Sequence, residues 1–141
     1  MIQSIIRNEL RVAPVYITND VLVANQTNGY VTQWIPQTYQ LVPQGLVFKL
    51  ASDQTFHDSP DPHLRTRGLA DGTVQFASDD VVRLKVLPAY TSMLNSRGKY
   101  LALFNQHERA IAAFKEALAL DPKSTAAEQG LAESAAKLRK P

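Results

Sequence analysis

Hydrophobic and polar positions change their period along this chain. Ile2, Ile5, Ile6 and Leu10 recur at the spacing of one helix face, which predicts a short amphipathic helix over residues 2–10. Pro14-Val-Tyr-Ile-Thr18 is β-branched and aromatic and predicts a short strand. Asn19-Asp20 can cap a turn of helix over Val21–Ala24, and Asn25–Gly29 is a polar turn stretch. Residues 30–38 fit either a short strand ending at Pro36 or a loop. The run Tyr39–Leu50, YQLVPQGLVFKL, predicts a second strand, and Pro43 and Gly45 place an edge or a bulge inside it. Helix, strand, short crossover and strand together predict a small α/β layer whose two strands can pair in parallel. Two strands alone are marginal in water. They call for helices behind them or for a sheet supplied by further sequence, so the chain is expected to be a piece of a larger polypeptide.

Residues 51–73 are polar, aperiodic and rich in Asp, Pro and Gly, the composition of a long surface loop or mobile segment. Helical spacing returns at Asp79, where Asp79 or Asp80 can cap; Pro88 then kinks or divides the helix. Ala110, Ala113, Phe114, Ala117 and Leu118 form one apolar stripe, and Asp121-Pro122 stops that helix because the residue before a proline avoids the helical region. Thr125 and Glu128 fit a capping box that opens a last helix from Ala126 to about Arg139. Ala127, Leu131, Ala135 and Leu138 give it an apolar stripe, and Lys137, Arg139 and Lys140 suit its C-terminus. The expected fold class is α+β. Residues 1–78 hold the small α/β layer with two short strands and the loop 51–73; residues 79–141 hold a helical hairpin and a C-terminal capping helix.

With 141 residues, 45% of them hydrophobic and 20% charged, the chain has the make-up of one globular domain or of a small domain with an appendage. The formal net charge of +2 comes without a cluster of Lys and Arg interleaved with aromatics, so nucleic acid is not the expected partner. The absence of cysteine excludes disulfides, thiolate metal sites and cysteine nucleophiles. No apolar run is long enough to span a bilayer, and the N-terminus lacks the pattern of a signal peptide.

Residues 93–122, MLNSRGKYLALFNQHERAIAAFKEALALDP, resemble one tetratricopeptide repeat, a helical hairpin of the W-x2-L-G-x2-Y, A-x3-F, Pro pattern. Leu94 stands at the Trp position, Gly98 at the Gly and Leu101 at the Tyr, followed by Ala110, Phe114, Ala117 and Pro122. The resemblance implies that Gly98 and Ala110 let the helices approach while Leu94, Leu101 and Phe114 fill the space between them. Arg97 replaces a Leu, so the first helix is rotated or the arginine reaches solvent along its stem. Leu87-Pro88 lies one repeat period before Asp121-Pro122, and segment 79–87 is expected to pack like a preceding helix without being a repeat. The helix after residue 125 looks like the cap of an array, since a single repeat cannot bury its own apolar face.

A second resemblance covers residues 1–122. Arg11 with Pro14-Val15-Tyr16-Ile17-Thr18, and then Tyr39, Leu41, Pro43 and Gly45-Leu46-Val47-Phe48-Lys49, resemble the strand motifs in soluble C-terminal tails of bacterial membrane proteins related to protein O-mannosyltransferases. Lys49 stands where those tails have Arg. This implies an accessory domain on the extracytoplasmic face of a membrane, with any glycosyl-transfer chemistry elsewhere in the polypeptide. A free-standing TPR-like scaffold, which would be cytoplasmic, and an enzyme with an unrecognised pocket are the alternatives.

Candidate chemistry is sparse. His57, Asp58, Asp61 and His63 crowd one loop as HDSPDPH, but the spacing matches no zinc pattern, and no metal or cofactor is expected. Ser52, Ser59 and Ser78 lack a nucleophile elbow, and Gly68–Gly72 lacks the ending of a phosphate loop, so no catalytic residue is assigned. Trp34 and Tyr39 suit packing better than a ligand platform. The expected site is a groove for a protein or peptide partner. The resemblance puts Asn95, Lys99 and Ala102 on the groove face of the first helix, with Gln129 and Glu133 from the next. Asn95 and Lys99 could then hold a peptide carboxylate by charge-assisted hydrogen bonds.

Overall fold

The computed structural model describes residues 2–19, 35, 38–66, 68–69 and 71–139. The readings made for Asp20–Gly29 and Trp34, and most of those for 30–38, therefore lie outside the described residues. The fold is α+β, in two compact units, Met1–Pro60 and Asp61–Pro141. The division falls at Pro60, inside the polar stretch.

The first unit opens with helix α1 (Ile2–Glu9) and strand β1 (Tyr16–Thr18). The run 39–50 is not one strand but a hairpin, β2 (Gln40–Gln44) and β3 (Val47–Ala51), joined through Gly45 and Leu46. Gly45 sits at φ +62, a conformation glycine adopts without steric cost, at the first central position where a tight II′ hairpin turn needs it. Strand order is β1-β3-β2 and both pairings are antiparallel, with Ile17 opposite Phe48 and Leu41 opposite Leu50. The parallel pair expected from sequence is thus replaced by a third strand, because Gly45 reverses the chain inside what read as one segment. Pro43 lies on β2, an edge of this sheet, where its missing N–H costs no ladder bond. Val42, Phe48, Leu50 and Ala51 form the buried part.

Residues 52–60 have no helix or strand but are tied to β2 and to Thr38 just before it. The Gln40 side-chain amide donates to the Thr55 carbonyl, the Gln54 amide to the Thr38 carbonyl at 2.9 Å, and the fully buried Ser59 hydroxyl to the Pro43 carbonyl. The long loop of the sequence reading is pinned over this part. Asp53 orders its tip. It accepts from the Thr55 hydroxyl and amide and from His57 Nε2 at 2.9 Å, and these bonds hold its carboxyl down to about 2.

In the second unit, the Val82 amide donates to Asp80 Oδ1 at 2.7 Å, so Asp80 is the residue that caps. A π-helical segment, Val82–Val86, follows and runs without interruption into α2 (Leu87–Leu103). Pro88 does not divide the helix. Its ring offers no N–H to the Leu84 carbonyl, and the wide turn with Leu87 N–H on the Val82 carbonyl absorbs the mismatch ahead of it. None of Val82–Val86 is buried: the segment expected to pack as a preceding helix continues into α2 with Arg83, Leu84 and Lys85 exposed and Val82 and Val86 half-buried.

Helix α3 (His107–Leu120) returns after a tight turn. Asn105 takes φ +60, its amide donates to the Ala102 carbonyl at 3.1 Å, and the Gln106 amide donates to the Leu101 carbonyl at 2.8 Å. Those two bonds around a left-handed residue are the Schellman close of a helix. Asp121 ends α3 in an extended conformation before Pro122. Helix α4 (Thr125–Leu138) then packs on α3 and α2. Its N-cap is Ser124, one residue before the expected Thr125, and no side chain closes the cap, so the Thr125–Glu128 box is not formed. The buried face of α4 runs through Ala127 and Ser134, while Leu138 is half exposed. That rotates the helix by part of a turn from the Ala127–Leu138 stripe read in the sequence.

Candidate functional site

The helical unit is built around Phe114. An ideal Cβ on Gly98 of α2 would stand 2.6 Å from Phe114 Cε1, and one on Gly130 of α4 would stand 2.2 Å from Cζ. Carbon atoms pack at about 3.5–4.0 Å, so both neighbours must be glycine for the ring to lie between the two helices. Leu94 and Leu101 of α2 and Ala110, Ala113 and Ala117 of α3 complete the buried core. Small residues at the crossing and one aromatic wedge bring α2 and α4 to the two sides of α3.

This arrangement leaves a groove of about 380 Å³ between α2 and α4. Its floor is apolar and small-residued, with Ala102, Ala126, Gly130 and the Phe114 ring, and its rim carries Lys99, Gln129, Glu133 and Lys137. Lys99, Ala102, Gln129 and Glu133 of the sequence reading therefore line one cavity. Asn95 does not. Its side-chain amide donates to Ser124 Oγ at 3.1 Å, which ties α2 to the start of α4. Lys137, read from sequence only as suiting the helix C-terminus, also lines the groove, as do His107 and Ser134, which were not singled out from sequence. Gly130 was the available signal, because a glycine inside a helix costs about 1 kcal/mol against alanine and calls for a packing reason.

Ser134 Oγ and His107 Nδ1 are both buried and neither has a hydrogen-bond partner among the described residues, so these two groove residues do not form a Ser–His nucleophile pair. Among the described residues no cluster of three His, Asp or Glu side chains could hold a metal ion. The two histidines of HDSPDPH lie against different aspartates, His57 against Asp53 and His63 against Asp61, and fall in different units.

Polar groups also gather on a second pocket of about 160 Å³, lined by Asp61, His63, Thr66 and Glu116 with Leu94 and Leu120. Arg97 neither reaches solvent nor leaves the packed face of α2; it is 5% exposed. Burial raises the Glu116 carboxyl, the Asp61 charge raises it further, and Arg97 and His63 pull it back.

No protein-family model matches this chain, and no curated protein or solved structure matches it either. Among the described residues no helix is long and apolar enough to cross a membrane.

Proposed function

We propose that this chain is a non-catalytic protein-interaction domain whose helical part is one tetratricopeptide-like hairpin with a capping helix, and that the groove between α2 and α4 receives a peptide of its partner. The observation that carries this reading is the seating of Phe114 against Gly98 and Gly130. The ring lies between α2 and α4 under a groove with an apolar floor and polar rims, the make-up of a ligand groove. The repeat motif of residues 93–122 supports the same reading. The two strand motifs around Tyr16 and Tyr39 extend it to an accessory tail of a membrane-associated, glycosyltransferase-like polypeptide. Transmembrane helices encoded upstream of Met1 in the same gene would support that extension, and a stop codon there would remove it.

The binding proposal is tested by selecting peptides from a displayed library against the whole chain. Lys99→Glu and Gln129→Ala should then weaken the selected peptides, the first by about tenfold, the effect of one charge-assisted contact. No enriched peptide, or affinity indifferent to both substitutions, would leave the hairpin as a structural element.

A further inference from the structure

We infer that the groove takes an internal, extended segment of a partner in which one aliphatic side chain is flanked by acidic residues. This rests on the reading of the groove as a peptide site.

Three features select that chemistry. The floor is made by Ala102, Ala126 and Gly130 over the buried Phe114 ring, so a depression of small residues lies open there. A single aliphatic side chain fits there. The rim carries Lys99 and Lys137 against one acid, Glu133. Among the described residues neither lysine is ion-paired, so their charges are available to an occupant. Ser134 is 2% exposed, lines the groove, and among the described residues its hydroxyl has no partner. A buried hydroxyl without a partner is costly, and a main-chain group of an extended peptide would satisfy it.

The dimensions agree. From Ala126 to Lys137 the α4 wall rises about 16 Å at 1.5 Å per residue. An extended chain advances roughly 3.3 Å per residue, so about five residues span the wall. Side chains then alternate between floor and rim, which places acidic residues beside the apolar anchor. A second copy is a poor occupant at its own basic segment, because Lys137, Arg139 and Lys140 would meet Lys99 and Lys137.

The test uses the whole chain and end-blocked, fluorescently labelled pentapeptides read by anisotropy. Gly-Glu-Leu-Glu-Gly should bind. Gly-Lys-Leu-Lys-Gly should bind at least about tenfold more weakly, and Gly-Glu-Ser-Glu-Gly should lose about tenfold or more with the buried side chain. Lys99→Glu with Lys137→Glu, both at exposed positions and checked for retained helicity, should weaken the acidic peptide by an amount that shrinks as salt rises. Ser134→Ala should cost about fivefold. Equal binding of the basic and acidic peptides overturns the inference and leaves the peptide-site reading standing. So does binding that needs a free C-terminal carboxylate. If no pentapeptide binds and a library yields none that depends on Lys99 or Gln129, the peptide-site reading fails with it.

Discussion

Gly130→Ala should destabilise the helical unit, although the same change at an ordinary helix position stabilises it. Alanine improves intrinsic helix propensity by about 1 kcal/mol. Here its Cβ would lie 2.2 Å from Phe114 Cζ and 2.5 Å from Cε1. Relief needs a displacement of more than about 1 Å to restore carbon contact distance. The ring cannot swing aside, because Phe114 is 1% exposed and Gly98 bounds it on α2, with Cε1 2.6 Å from the Cβ position there. Overpacking of this kind costs about 1–3 kcal/mol. Since 2.2 Å is a severe overlap, the upper part of that range applies, and subtracting the propensity gain leaves about 1–2 kcal/mol of net loss. Urea unfolding followed by circular dichroism at 222 nm measures it, with an unchanged m-value as the check that the folded state stays compact. The Phe114→Leu background supplies the control. Leucine lacks the ring atoms that clash, so Gly130→Ala should cost clearly less there, a coupling of about 1 kcal/mol in the double-mutant cycle. A Gly130→Ala variant more stable than the parent, or a cycle with no coupling, would refute the wedge.

Phe114→Ala should cost about 3–5 kcal/mol in the same assay, the range for a buried aromatic truncated in place; an unchanged midpoint would put Phe114 outside the core. Asn105→Val should lose about 1–2 kcal/mol, because a β-branched residue resists the left-handed conformation that closes α2, whereas Asn105→Gly should be neutral or better; equal effects of the two would contradict the Schellman turn. Glu116 should titrate above its ordinary 4.5, from burial first and the Asp61 charge second. Its contribution to stability is therefore present below that ordinary value and lost as pH rises through the raised one. Asp61→Asn should bring the midpoint down in a carboxyl NMR titration, and a midpoint unmoved by that change would remove Asp61 from the pocket.

The helices were legible because their apolar residues follow a 3.6-residue period and their ends carry strong punctuation. Asp121-Pro122 stops α3 where expected, and Gly98 and Phe114 meet at the crossing. The sheet was less legible. Its strands are three to five residues long, too short for period two to separate one bent strand from a hairpin. Gly45 looked like a bulge and proved to be the turn, a distinction that depends on which partner strand is available. The cap of α4 shifted by one residue because Ser124 and Thr125 are chemically equivalent candidates. Part of the groove was visible, in Lys99, Ala102, Gln129 and Glu133. Asn95 was drawn away by Ser124, a contact set by how closely α2 and α4 approach and not by spacing within either helix. Ser134 and His107 reach the groove through tertiary packing alone.

Amide chemical-shift mapping of the whole chain with the acidic, leucine-centred pentapeptide tests the groove most directly. The expected shifts fall on Lys99, Ala102, Gln129, Glu133 and Lys137, with smaller ones around Phe114, and leave β1, β2 and β3 unmoved. Shifts on the sheet unit, or none at saturating peptide, would contradict a binding site between α2 and α4.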